Sequence, residues 1–107
     1  MIRLTVLYKL ADGIDEAEFI RWRKSEHEKY VQSMPGVIRN EFSRINNISP
    51  EGRVPPYRFQ TVIDWPDRES FERAFYNDDA QARLDSNRDK IDDEVFIVSE
   101  LLTTTGD

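Results

Sequence analysis

There is no cysteine in this chain and only one histidine. The first absence rules out a disulfide framework, thiolate chemistry and any cysteine-ligated zinc or iron–sulfur centre. It also fits a reducing compartment, and a cytoplasmic location is the expectation. The second leaves no histidine-rich metal site within one subunit, so no bound metal is expected. Positive charge is short as well: 15 Lys and Arg stand against 21 Asp and Glu, for a formal charge of −6. A phosphate backbone needs a positive field, so nucleic acid is not the expected partner. No apolar stretch approaches the roughly 20 residues of a membrane-spanning helix. The opening residues MIRLTVLYKL mainly alternate apolar with polar, unlike a signal-peptide core, and no membrane association is expected.

With 107 residues, the chain has the length of one domain spanning residues 1–107. A chain of this size buries about 60–70% of its unfolded surface, which leaves little core for a deep, closed site. Its aromatic residues (6 Phe, 4 Tyr and 2 Trp) are nevertheless too many for a disordered segment.

Ile2, Leu4, Val6 and Tyr8 alternate with Arg3, Thr5, Leu7 and Lys9. This period of two predicts a first strand that ends before Asp12 and Gly13. A helix is expected over residues 15–32. Asp15 suits an N-cap, Glu18 stands three residues on as in a capping box, and Met34-Pro35-Gly36 stops it. Phe19, Trp22, Arg23, Glu26, His27 and Tyr30 share one broad face at helical spacing, with Arg21, Lys24, Glu28 and Lys29 largely opposite. Residues 37–45 read as a polar second strand, and residues 57–65 as a third with Tyr57, Phe59, Thr61, Ile63 and Trp65 to one side. Between them, residues 46–56 form a polar connection longer than an ordinary hairpin, read as a flap or a partner contact. Pro66-Asp67 opens a second helical region that buries Phe71, Ala74 and Phe75. Asn77-Asp78-Asp79 interrupts it, and a further helix follows over residues 80–90. Residues 95–102, apolar on both faces, make the fourth strand, and residues 103–107 a frayed tail.

The order strand, helix, strand, strand, helix, strand predicts a ferredoxin-like α+β sandwich, βαββαβ, with a four-stranded antiparallel sheet and the helices on one face. A fourth strand that is apolar on both sides needs cover on both sides. One layer of helices cannot supply it, so a homodimer packed through the sheet face is expected. The alternative is a half-solvated sheet.

His27 is the one side chain whose ordinary pKa lies near neutrality. On the inward side of the first helix it would face the cleft between helix and sheet, a natural place for a small molecule, and act there as general base or acid. Near a helix end it could equally hydrogen-bond carbonyls and offset the helix dipole. Arg23 lies one turn earlier, where a guanidinium would hold the imidazole neutral; it could instead pair at the surface with Glu16 or Glu26. Glu26 sits about 100° round the helix from His27 and could edge the cleft. Tyr8, Phe19, Trp22 and Tyr30 could line an aromatic pocket for a flat ligand, or be core. Asn40 and Arg58 are the polar side chains expected to project from mid-strand toward the helices or an interface. The acidic clusters Asp78-Asp79 and Asp92-Asp93-Glu94 lack the alternating ligands and central glycine of a calcium loop, and read as caps and solvated surface. The sequence contains no phosphate loop, dinucleotide fingerprint or serine elbow, and no organic cofactor is expected.

The run Phe19-x-x-Trp22-x-x-x-x-His27, followed by Met34-Pro35-Gly36-Val37, resembles the EthD-like branch of the dimeric α/β-barrel superfamily. Arg23 stands where Trp is usual in that pattern. Tyr76-Asn77-Asp78-Asp79-Ala80-Gln81-Ala82 is similar to the superfamily's break in the second helix. Tyr57-Arg58-Phe59 with Asp64-Trp65-Pro66 is similar to the RedY/HapK-type proteins of bacterial pigment pathways. The likeness in layout covers nearly the whole chain; the motifs cover about a dozen residues. The resemblance implies a dimeric α/β barrel and a site role for His27, with Glu26 or Arg23 tuning it. It implies a small enzyme of secondary metabolism that cyclises or dehydrates an aromatic intermediate of prodiginine, pyrrole, indole or polyketide type, with no cofactor. Two alternatives stand beside it: cofactor-free oxygenation of an anthrone-like substrate, and a non-catalytic module that shields a reactive intermediate. Some members of the wider superfamily bind haem through a histidine in the equivalent region, which makes haem handling a fourth and weaker reading.

Overall fold

The computed structural model describes residues 1–46 and 54–106. Most of the 46–56 connection, and with it the flap or partner-contact reading, lies outside the described residues. β1 (Ile2–Leu10) buries Ile2, Leu4, Val6 and Tyr8 on one face, as its alternation requires. It lies inside a four-stranded sheet ordered β2-β3-β1-β4, with β2 at Arg39–Arg44, β3 at Phe59–Trp65 and β4 at Ile91–Glu100. All neighbouring strands run antiparallel. Residues opposite one another in the ladder point to the same side, so Phe59, Thr61, Ile63 and Trp65 join the buried face of β1. Helical side chains such as Phe19, Val31, Phe71 and Ala74 pack on that face, which gives the expected ferredoxin-like α+β layering.

The first helical segment departs from the continuous helix expected over 15–32. α1 (Glu16–Trp22) starts on Asp15, whose carboxylate accepts the Glu18 N–H at 2.9 Å. One turn of π-helix follows, Arg23–His27, and then α2 (Glu28–Ser33). Ser25 supports the break, because its hydroxyl donates to the Arg21 carbonyl at 2.6 Å and so serves an acceptor of the disturbed ladder. The i→i+5 bonding of a π turn brings residues five apart onto one face, whereas a regular α-helix sets them about 140° apart. The segment ends at Gly36, whose φ of +80° suits glycine; a Cβ there would lie 3.3 Å from Trp65 Cδ1. That indole donates to the Pro35 carbonyl at 3.0 Å.

α3 (Arg68–Phe75) starts on Asp67, which accepts the Ser70 N–H at 2.8 Å. α4 (Asp78–Ser86) starts two residues before the expected 80, because Asn77 is the cap and accepts the Ala80 N–H at 2.8 Å. Asp78 and Asp79 occupy the first turn of α4, where negative charge is favoured.

β4 also begins earlier than expected, and it carries a bulge. Leu7 pairs with Val95, but Lys9 pairs with Asp92. Asp93 sits in the left-handed region at φ 53°, and the Asp92 carboxylate accepts its N–H at 3.0 Å. The extra residue shifts the alternation by one, so Ile91 and Phe96 both pack against the core. The acidic run read as solvated surface is therefore part of a strand. On the helix-free face, Arg3 donates to both carboxylate oxygens of Asp64 at 2.8 and 3.0 Å. Beside that pair Val95 and Ile97, aligned with Leu7 and Thr5, are 36% and 42% exposed.

Candidate active site

A cavity of about 110 Å³ lies between the sheet and the helices. Leu4, Val6, Thr61 and Ile63 floor it from the sheet. Phe19, Trp22, His27 and Tyr30 line one side from the first helical segment, and Ala80, Arg83, Leu84 and Asn87 line the other from α4 and its C-terminal cap. An apolar cavity of ~150 Å³ can hold benzene, so this one has room for about one aromatic ring, and a longer ligand must extend outward. Arg83 lines the cavity and is also exposed, which marks the open side.

The π turn builds the wall. Trp22 and His27 are five residues apart, and their rings stack at 4.7 Å and 27°. Tyr30 continues the row, 5.7 Å from the imidazole. Arg23 and Glu28 are also five apart, and the guanidinium donates to the Glu28 carboxylate at 2.7 Å. Asn40 completes a triad: it donates to Glu28 at 2.6 Å and accepts from Arg23 at 3.4 Å. Arg23 is only 2% exposed, and its guanidinium lies 4.7 Å over the Phe42 ring. A buried charge persists only when paired and hydrogen-bonded in this way.

The electrostatics follow from the burial. Desolvation pushes the His27 pKa down from 6.5 to about 4, and the positive charges of Arg23, Arg83 and Lys90 act in the same direction against a smaller opposing effect of Glu28. The imidazole is therefore neutral at pH 7. Burial also pushes the Tyr8 hydroxyl above its usual value, with Thr61 and Arg23 pulling the other way, so Tyr8 stays a protonated donor.

Of the residues singled out in the sequence, His27, Arg23, Tyr8, Phe19, Trp22 and Tyr30 are brought together around the cavity. Glu26 is exposed and does not line it. Asn40 stands one layer back, on Arg23 and Glu28. Arg58 lies on the outer edge and grips Glu16 with bonds of 2.6 and 3.0 Å. The surface pairing considered for Arg23 is replaced by the buried pair with Glu28. Sequence reasoning missed Glu28, Thr61, Arg83 and Asn87 as site residues. Spacing placed Glu28 on the outer face, and a charged residue in an exposed helix gives no signal of its own. Among the described residues no three His, Cys, Asp or Glu side chains converge as a metal site requires, and no helix is long and apolar enough to cross a membrane.

The fold and site define a ferredoxin-like α+β protein with a small, mainly apolar cavity and a histidine in its wall. Residues 2–102 match the family of the REDY-like protein HapK, and the chain belongs to that family. HapK from Hahella chejuensis is 17% identical, with a TM-score of 0.74 over 100% of this chain and 98% of that one. An EthD family protein from Bacillus halodurans C-125 is 21% identical, with a TM-score of 0.74 over 95% of this chain and 99% of that one. SnoaB from Streptomyces nogalater, a cofactor-independent oxygenase solved as a mutant, is 14% identical, with a TM-score of 0.72 over 99% and 97% of the two chains. A dimeric ferredoxin-like protein of unknown function from Thermobifida fusca is 17% identical, with a TM-score of 0.68 over 94% and 90%. No curated protein matches the chain.

Proposed function

We propose that this protein is a small enzyme of secondary metabolism, of prodiginine, pyrrole, indole or polyketide type, in which His27 moves a proton during cyclisation or dehydration of an aromatic intermediate. The observation that carries this reading is a neutral imidazole in the wall of an aromatic cavity. A base with a pKa of about 4 is unprotonated at neutral pH and can accept a proton from a carbon next to a carbonyl. The imidazolium so formed is a strong acid. It returns the same proton to the departing hydroxyl, which leaves as water. Tyr8, kept protonated by burial, can donate to the carbonyl oxygen as negative charge develops there, with the Arg23 charge beside it. Phe19, Trp22 and Tyr30 supply the apolar faces for the ring. Glu26 and Arg58 have no place in this scheme, and Asn40 acts by holding the Arg23–Glu28 pair.

The test is the pH dependence of dehydration of a phenyl-substituted β-hydroxyketone, followed as enone absorbance. The expected profile rises to a plateau above an acidic limb near pH 4, the His27 value, because the free base is the active form. A limb near 6.5, or no acceleration over solvent, would overturn the assignment, and ligand binding without acceleration would favour the shielding module. The likeness to SnoaB supports a second reading, in which the same base makes a substrate carbanion that reacts with oxygen. Oxygen uptake with each turnover separates the two, since cyclisation and dehydration consume none.

A homodimer through the helix-free sheet face belongs to the same proposal. Val95 and Ile97 form an apolar strip there, and a two-fold contact would remove it from water. The dimeric relative from Thermobifida fusca supports this. Ile97→Glu is expected to convert dimers to monomers in sedimentation experiments; a monomeric parent protein would refute the arrangement.

A further inference from the structure

The charges at this cavity run against those of the chain. The sequence carries a formal −6, yet the cavity's surroundings are cationic. The Arg83 guanidinium lies 4.4 Å over the Tyr30 ring, and the Lys90 ammonium lies 4.8 Å over the Trp22 ring. Between them Trp22, His27 and Tyr30 form a row of rings, so a cation flanks each end of the row. The nearby acids do not cancel this. Glu28 is engaged by Arg23 and Asn40. Asp79, whose charge is felt at Tyr30, is exposed and outside the cavity lining. Lys90 has Asp89 at 3.6 Å, whereas Arg83 has no ion-pair partner among the described residues. A guanidinium stacked on a phenol ring keeps its N–H edge free, and that edge matches a planar carboxylate with two parallel bonds. Asn87 follows Arg83 by one helical turn and also lines the cavity, adding an amide donor on the same side.

We propose that the ligand of this cavity is a planar aromatic or heteroaromatic carboxylate, with its ring against the Trp22–His27–Tyr30 row and its carboxylate on Arg83. The inference rests on the reading of the cavity as the substrate site and names the substrate class for it. Pyrrole-2-carboxylate and pyrrole-2-carboxamide test it, since they share size and shape and differ in charge. Each is titrated into the whole protein, with affinity read by calorimetry and location by the NMR signals of His27. The carboxylate is expected to bind at least about tenfold tighter than the amide, and Arg83→Gln to shrink that preference to within about threefold. Arg68→Gln, which removes an exposed charge away from the cavity, is expected to leave the preference intact. Equal affinities, with His27 signals moving, would overturn the carboxylate and leave the cavity as the site. A preference that survives in Arg83→Gln would overturn the role of Arg83. Movement of His27 signals with neither probe would overturn both the inference and the cavity reading.

Discussion

His27→Gln is expected to lower turnover by about 10²–10⁴-fold in a protein that stays folded. Glutamine offers an amide in place of the ring nitrogen but cannot take up a proton, so the loss isolates proton transfer. His27→Phe makes the complementary cut. It keeps a ring between Trp22 and Tyr30, which now stack and tilt against the imidazole, and it should retain ligand affinity while losing the same turnover. Stability should respond in the other direction at low pH. The native state holds the imidazole near 4 against an ordinary 6.5, so protonation favours the unfolded chain. The stability tied to the neutral ring is complete above about pH 6.5 and is lost as pH falls toward about 4, below which both states carry the proton. Urea midpoints at about pH 7 and about pH 4.5 should therefore converge more for His27→Phe than for the parent. Full activity in either variant would remove His27 from the chemistry, and identical pH dependence would show that its ring is not held neutral.

Arg23→Met is expected to destabilise the fold by about 3 kcal/mol, the lower end for a broken buried pair, because the Glu28 side chain is 28% exposed and water can serve part of it. For a domain of this size that lowers Tm by roughly 12–24 °C. Methionine fills the volume of the stem, so the loss reports the stranded Glu28 carboxylate and Asn40 amide rather than an empty space. Arg23→Met combined with Glu28→Leu should recover much of the stability, since neither charge then remains unpaired. A loss of under about 1 kcal/mol in the single variant would put the pair in the class of surface bridges. Turnover should fall in both variants, because each loses the positive charge beside the Tyr8 hydroxyl that would donate to the developing oxyanion.

Much of this arrangement can be read from residue order. The alternation of Ile2, Leu4, Val6 and Tyr8 marks both a strand and its buried side, and Asp15 and Asp67 cap the helices expected of them. Strand order follows from the βαββαβ pattern. The site is half legible. Spacing puts Phe19, Trp22, His27 and Tyr30 on one face, and they do line the cavity. The π turn is not legible, because every helical spacing rule assumes 3.6 residues per turn. On that rule Glu28 faces outward and Arg23 lies beneath His27; the wider turn carries Arg23 to Glu28 and Trp22 to His27. Ser25, a hydroxyl able to back-bond within a helix, is the one local hint. The start of β4 was hidden for a different reason: Asp92 and Asp93 look solvated and are, and Glu94 is half-buried, yet all three sit on a bulged strand. Arg83 matters only through what α4 faces, which depends on contacts distant in sequence.

The β4 bulge bears on how this protein avoids unwanted association. β4 is an edge of the sheet, and an open edge offers unpaired backbone groups to any passing strand. Here an arriving strand would meet three consecutive carboxylates and a hydrogen-bond spacing broken by a left-handed Asp93. β2, at the other edge, presents Arg39, Glu41 and Arg44, all exposed. Strand addition is thus discouraged at both ends of the sheet, while the apolar strip of Val95 and Ile97 stays available on its face. Both edges of the sheet are built to resist the edge-to-edge growth that leads to fibrils.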